Sequence, residues 1–170
     1  AVMQVQSGAI NYNQAIKTAV KQLADSGLKV VDYESGHRDQ IDVAARRAIM
    51  TGVSQICAKY TEQSAEYLET PYFEVSAHAG ARDKPGPSPW SSHKDWQGKV
   101  YSTRSGDIYP SIYEVCGLGA VDGLEGANCR HRRNVWVEGV SERTYTDEQL
   151  AHIDDDLGCE FEGKKYTAYE

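Results

Sequence analysis

Residues 40–77 read QIDVAARRAIMTGVSQICAKYTEQSAEYLETPYFEVSA. Ile41, Ala45, Ala48, Ile49, Val53, Ile56 and Tyr60 recur at steps of three and four, the spacing of one buried helix face. One long amphipathic helix from Gln40 to about Leu68 is therefore expected. Asp39, with Asp42 three residues on, has the form of a capping box with Asp in place of Glu or Gln. Thr70-Pro71 ends the helix, because a proline disfavours the helical region for the residue before it. Beyond it the period becomes two, with Tyr72, Glu74 and Ser76 on one side and Phe73, Val75 and Ala77 on the other. That alternation predicts a strand with one solvated face.

Upstream, Ile16, Ala19, Val20 and Leu23 mark a shorter amphipathic helix over Asn13 to Ala24, stopped by Ser26-Gly27. Leu28 to Tyr33 is β-prone and is followed by the turn residues Glu34-Ser35-Gly36. Downstream, Pro85, Pro87 and Pro89 with Gly86 block regular structure between Asp83 and Ser92. Gly98 to Ser102 and Asn134 to Glu138 are further strand candidates. Four glycines between Gly117 and Gly126 call for a loop with positive φ angles. They lack both the Gly-x-Gly-x-x-Gly spacing after a strand and a Gly-Lys-Ser/Thr ending, so nucleotide binding is not indicated. Thr146-x-x-Gln149 is a capping box that opens a short helix. The pattern is α+β: a long amphipathic helix and shorter helices packed on a small, mostly antiparallel sheet, rich in loops.

A chain of 170 residues suffices for one domain with a hydrophobic core. Its expected parts are a helical lead-in (1–70), a core of strand and loop motifs (71–140), and a C-terminal helix and strand (141–170). The first residue is not Met and the chain stops in what looks like an ordered segment, so a fragment of a longer chain is expected. With 40% hydrophobic and 25% charged residues it is neither disordered nor membrane-spanning in composition. A net charge of -7 argues against a surface that coats nucleic acid throughout. Cys57, Cys116, Cys129 and Cys159 show no Cys-x-x-Cys pair and read as reduced thiols.

The polar residues between Ser76 and His131 carry the chemistry. His78 and Arg82 stand at a strand end, His93 precedes Trp96, Gln97 and Lys99, and Asn128-Cys129-Arg130-His131 closes the set. His78 and His93 are of the types that serve as general base and acid, with Arg82, Lys99 or Arg130 to stabilise charge on a phosphate. His78, His93, Cys129 and His131 are zinc-ligand types, but their spacing matches no standard site, and neither a metal nor another cofactor is expected. Cys129 between basic neighbours could be a nucleophile. The alternative is that these groups tie irregular loops together. Arg47, Thr51 and Gln55 form a polar stripe four residues apart on the long helix, either solvated or turned into the same site. Arg130, Arg132 and Arg133 make the basic cluster that a nucleic-acid contact needs.

Residues 75–82 (VSAHAGAR), 93–102 (HKDWQGKVYS) and 126–131 (GANCRH) resemble, in order, signature blocks of the phage minor capsid protein 2 family. The Arg46-Arg47-x-x-x-Thr51-Gly52-x-x-Gln55 helix and the Phe161 to Tyr166 block resemble its flanking segments. Asn128 to His131 is also similar to the Asn-Cys-Arg-Cys that ends the related Mu-type head-morphogenesis domain, with His131 in place of the cysteine. The resemblance implies a minor virion protein with portal or other head proteins as partners, packaged DNA nearby and no membrane. It implies a place in the phage head, reached from the host bacterial cytoplasm, and a part in head morphogenesis or genome ejection. A metal-independent nuclease, or a toxin-like enzyme acting on nucleotides, is the competing reading of the same cluster.

Overall fold

A computed structural model describes residues 2–34, 36–84, 86–155, 159–161 and 163–166. The chain forms two compact units, Ala1–Lys59 and Tyr60–Glu170.

The first unit holds α1 (Val2–Gln6), α2 (Tyr12–Asp25), the antiparallel pair β1 (Val30–Asp32) and β2 (Arg38–Gln40), and most of α3 (Ile41–Tyr67). Asn11 caps α2, its side chain accepting the N–H of Gln14 at 2.9 Å, so the helix starts one residue earlier than the apolar spacing suggests. Ala15, Ile16 and Ile49 form the small core of this unit, with Val20 and Val53 packed around them. Asp39 is no helix cap. It lies in β2 opposite Val31, and its carboxylate meets Nε2 of His37 at 2.9 Å and Nη1 of Arg47 at 2.6 Å. The ion pair takes up the first member of the expected Arg47, Thr51, Gln55 stripe. Thr51 is half-buried and Gln55 is exposed.

The second unit is organised by β3 (Tyr72–Val75), the centre of an antiparallel sheet ordered β4-β3-β5, with β4 at Val100–Ser102 and β5 at Arg133–Trp136. Short helices α4 (His93–Trp96), α5 (Ile112–Cys116) and α6 (Asp147–Ala151) lie between and after the strands. A hairpin of β6 (Cys159–Phe161) and β7 (Lys164–Tyr166) follows. Phe73, Val75, Trp96, Tyr101, Ile112, Cys116 and Leu124 share one core. Each such apolar side chain contributes on the order of 1.5–3 kcal/mol when fully buried. The architecture is α+β, as the periodicity predicts.

Two local expectations are corrected. β3 has no solvated face: Glu74 is 4% exposed, and its carboxylate accepts from the N–H of Thr144 at 2.8 Å and from Oγ1 of Thr144 at 2.6 Å. A central strand is covered on both faces once the 140s segment folds over it, and alternation alone cannot report that covering. β5 begins at Arg133 and ends at Trp136, starting one residue and ending two residues before the expected Asn134 to Glu138. The capping box of α6 is present in full, with Thr146 and Gln149 bonding reciprocally.

The glycine-rich segment is a loop, as expected. Gly117 has φ +64 and Gly119 has φ +91. Gly123 is required for another reason: a Cβ there would sit 2.1 Å from the Gly117 carbonyl oxygen. Among the described residues no helix is long and apolar enough to cross a membrane.

Candidate functional site: a buried histidine cluster

The sheet brings the sequence blocks together. Beyond the end of β3, the ladder continues through Val75 N–H to Lys99 O at 2.9 Å, Gly98 N–H to Val75 O at 3.0 Å, and Ser76 N–H to Arg132 O at 2.7 Å. Antiparallel pairing sets the end of β3 beside the starts of β4 and β5. The residues just outside the three strands, His78 after β3, Gln97 before β4 and His131 before β5, therefore gather at one end of the sheet.

His131 is the hub and is 1% exposed. The His78 ring stacks on it with centroids 4.3 Å apart, Trp96 lies at 4.8 Å and His93 at 5.4 Å. Nε2 of His131 donates to Oε1 of Gln97 at 3.1 Å, and the same oxygen accepts the N–H of His78 at 3.1 Å. Sγ of Cys129 is 3.7 Å from Nδ1 of His131. Burial first, then the charges of His78, His93 and Arg82, lower the His131 pKa to about 3, so the ring is neutral at physiological pH.

His93 opens α4 and is 2% exposed. Its Nε2 donates to the Asp122 carbonyl at 2.9 Å, and Nη1 of Arg82 donates to the same oxygen at 3.1 Å. Burial lowers the His93 pKa, with the Asp122 hydrogen bond opposing it. Trp90 Nε1 donates to Oδ1 of Asp122 at 2.8 Å, and Trp96 Nε1 donates to the Trp90 carbonyl at 3.0 Å. Asp122, from the glycine loop, thus orients three of the site's side chains. Nothing in its own sequence surroundings marks it, nor Trp90, because both act through contacts made only in the fold.

His78 uses Nδ1 on the Ala79 carbonyl at 2.9 Å, while its buried Nε2 has no hydrogen-bond partner among the described residues. Beside it, the Gly80 N–H binds Oδ1 of Asp154 at 2.8 Å, and Lys94 Nζ meets Oδ2 of Asp154 at 2.7 Å.

The remaining candidates separate from this core. Lys99 is exposed, and its Nζ donates to the Asp95 carbonyl at 2.6 Å. Cys129 is buried, and burial raises its thiol pKa, the opposite of what activation as a nucleophile requires. Asn128 ends the preceding turn with a positive φ of 61, and after it Arg130 and Arg132 are exposed while Cys129 and His131 are buried, the alternation of an extended segment. Arg133 breaks from the other two arginines. It is 4% exposed, bonds Oε1 of Glu62 at 2.6 Å and Oε1 of Glu125 at 3.1 Å, and its guanidinium stands 5.1 Å from the Phe73 ring centroid. The expected three-arginine surface is reduced to Arg130 and Arg132. Glu62 and Arg133 also line a groove of about 430 Å³, with Glu66, Glu69 and Arg104 and without any of the site histidines.

The second unit is an α+β module whose motif residues close into a buried polar cluster. The chain belongs to the phage minor capsid protein 2 family, whose model matches residues 1–168. It is accordingly a minor structural protein of a phage virion. No curated protein and no solved structure matches it.

Proposed function

We propose that this chain works at the portal side of the phage head, bound to other head proteins and close to packaged DNA, in head morphogenesis or genome ejection. The observation that carries this reading is the closure of the motif cluster. His93 and His131 are 2% and 1% exposed and spend their Nε2 protons on Asp122 and Gln97. A general acid or base must come within hydrogen-bond reach of its substrate, and a phosphodiester chain is too bulky to enter such a packed interior. Loop-tying is what these groups do. Arg130 and Arg132, two apart on an extended segment, share one outward face and supply the DNA contact.

The test is a phage carrying Arg130→Glu and Arg132→Glu, beside one lacking the gene. The expected result is that the deletion yields heads that fail to fill or to eject, that cross-linking joins the wild-type protein to the portal, and that the double variant assembles but packages or ejects DNA poorly. Full infectivity of the deletion, or cleavage of labelled RNA or DNA by the purified chain in EDTA, would overturn the proposal.

A further inference from the structure

His93, Cys129 and His131 each offer one donor atom, and these three atoms lie within 4.8 Å of one another, all from buried residues. We propose that they form a binding site for Zn²⁺, with two imidazoles and one thiolate as protein ligands.

Three observations support it. The donor set is nitrogen and sulfur, which suits zinc and does not suit Mg²⁺ or Ca²⁺. The Sγ of Cys129 to Nδ1 of His131 separation is 3.7 Å. Two such ligands on a tetrahedral zinc stand about 3.5 Å apart, given bonds of about 2.3 and 2.0 Å.

The second support is the outer shell. Zinc-bound histidines almost always donate the remote ring N–H to a carbonyl, carboxylate or water, which fixes the tautomer and aims the lone pair. His131 donates from Nε2 to Gln97, and His93 from Nε2 to the Asp122 carbonyl. In the neutral rings Nδ1 is left to bind. The acceptors are themselves held, Gln97 by the His78 N–H and the Asp122 oxygen by Arg82.

The third is the scaffold. Cys129 and His131 are two apart on an extended segment, so both face inward while Arg130 faces out. His93 is delivered by α4 from another part of the chain. Short Cys-x-His spacing with a distant histidine is not a standard zinc pattern, which is why spacing alone does not reveal the site. His78, whose ring stacks on His131, lies outside this group of three, so the fourth position is left to water. On binding, the Cys129 S–H bond breaks, the thiolate sulfur ligates the ion, and the proton leaves to buffer.

The experiment uses the whole chain, stripped with a chelator and titrated with Co²⁺ and then Zn²⁺. One Co²⁺ per chain is expected, with a thiolate-to-cobalt charge-transfer band and the intense visible bands of tetrahedral cobalt, all removed by one equivalent of Zn²⁺. Cys129→Ser should abolish the charge-transfer band, while Cys57→Ser and Cys116→Ser should keep it. Should Cys129→Ser not fold, Gln97→Ala decides: loss of the outer-shell acceptor should weaken binding by about 10- to 100-fold. A folded wild-type chain that shows no charge-transfer band, a band that survives Cys129→Ser, or unchanged affinity in Gln97→Ala would overturn the site and leave a thiol–imidazole hydrogen bond in its place.

Discussion

Gln97 holds His131 by a hydrogen bond of 3.1 Å from ring Nε2 to side-chain Oε1, and that oxygen also accepts the backbone N–H of His78. One buried amide thus ties the ends of β3, β4 and β5. Gln97→Ala strands two donors in the interior, each costing roughly 1–3 kcal/mol when left unpaired. The expected loss is about 2–6 kcal/mol. Trp90, Trp96 and Trp136 are the only tryptophans and all fall in the second unit, so tryptophan fluorescence in urea measures this loss for that unit alone. An unchanged midpoint would show that the amide contributes nothing to holding the strand ends.

Arg133 supports a second prediction. Its guanidinium lies between Glu62 and Glu125, and the Glu125 side chain is itself buried. Burial raises the Glu125 pKa, against the pull of Arg133. Arg133→Ala leaves a buried carboxyl without its partner and should cost about 3–5 kcal/mol, whereas the exposed Arg132→Ala should stay within about 0.5 kcal/mol. Arg133→Met combined with Glu125→Gln should recover part of the loss, since no lone charge remains buried and the half-exposed Glu62 is solvated. Equal effects of Arg132→Ala and Arg133→Ala on the urea midpoint would contradict the assignment.

The glycine loop yields a ranking. At Gly123 a Cβ meets backbone oxygen at 2.1 Å, and at Gly117 it meets the Trp90 ring at 2.4 Å with φ already at +64. At Gly119 the φ is +91 and nothing lies within 4 Å. Gly119→Ala should therefore cost only left-handed strain, about 1–2 kcal/mol, and Gly117→Ala and Gly123→Ala distinctly more. Thermal unfolding of the three variants checks the order. An equal penalty at all three would mean that conformation, not close packing, shapes the loop.

These three sites show what a sequence can and cannot disclose. The long helix, the Thr146 and Gln149 capping box and the glycine loop follow from local rules, and the structure contains each. Residue type marks His78, His93 and the Asn128 to His131 block as one set, and the fold brings the rings of His78, His93 and His131 together. What escaped is set by neighbours remote in sequence. Asp39 satisfies a cap pattern but lies in β2 and pairs with Arg47 two turns into α3. Glu74 sits on the polar side of an alternating strand but is covered by Thr144. Arg133 reads as part of a basic run but is buried against two glutamates, and Asp122, which orients His93 and Trp90, carries no local mark at all.

Asp107 supplies the pH prediction. The Ile108 N–H at 2.8 Å is the first cause of its lowered pKa; burial opposes the shift, and Tyr72 Oη at 3.0 Å and Ser102 Oγ at 3.1 Å reinforce it. The carboxylate thus binds its proton less readily in the folded chain than in the unfolded one. Its contribution is fully present above the ordinary aspartate pKa of about 3.9 and is lost as pH falls through the lower folded value. Asp107→Asn removes that titration. In urea midpoints measured from neutral pH into acid, the variant should be less stable than wild type at neutral pH and the gap should close below about pH 3.9. A gap that stayed constant into acid would show that the loop is held by hydrogen bonds the amide can keep, with no part for the charge.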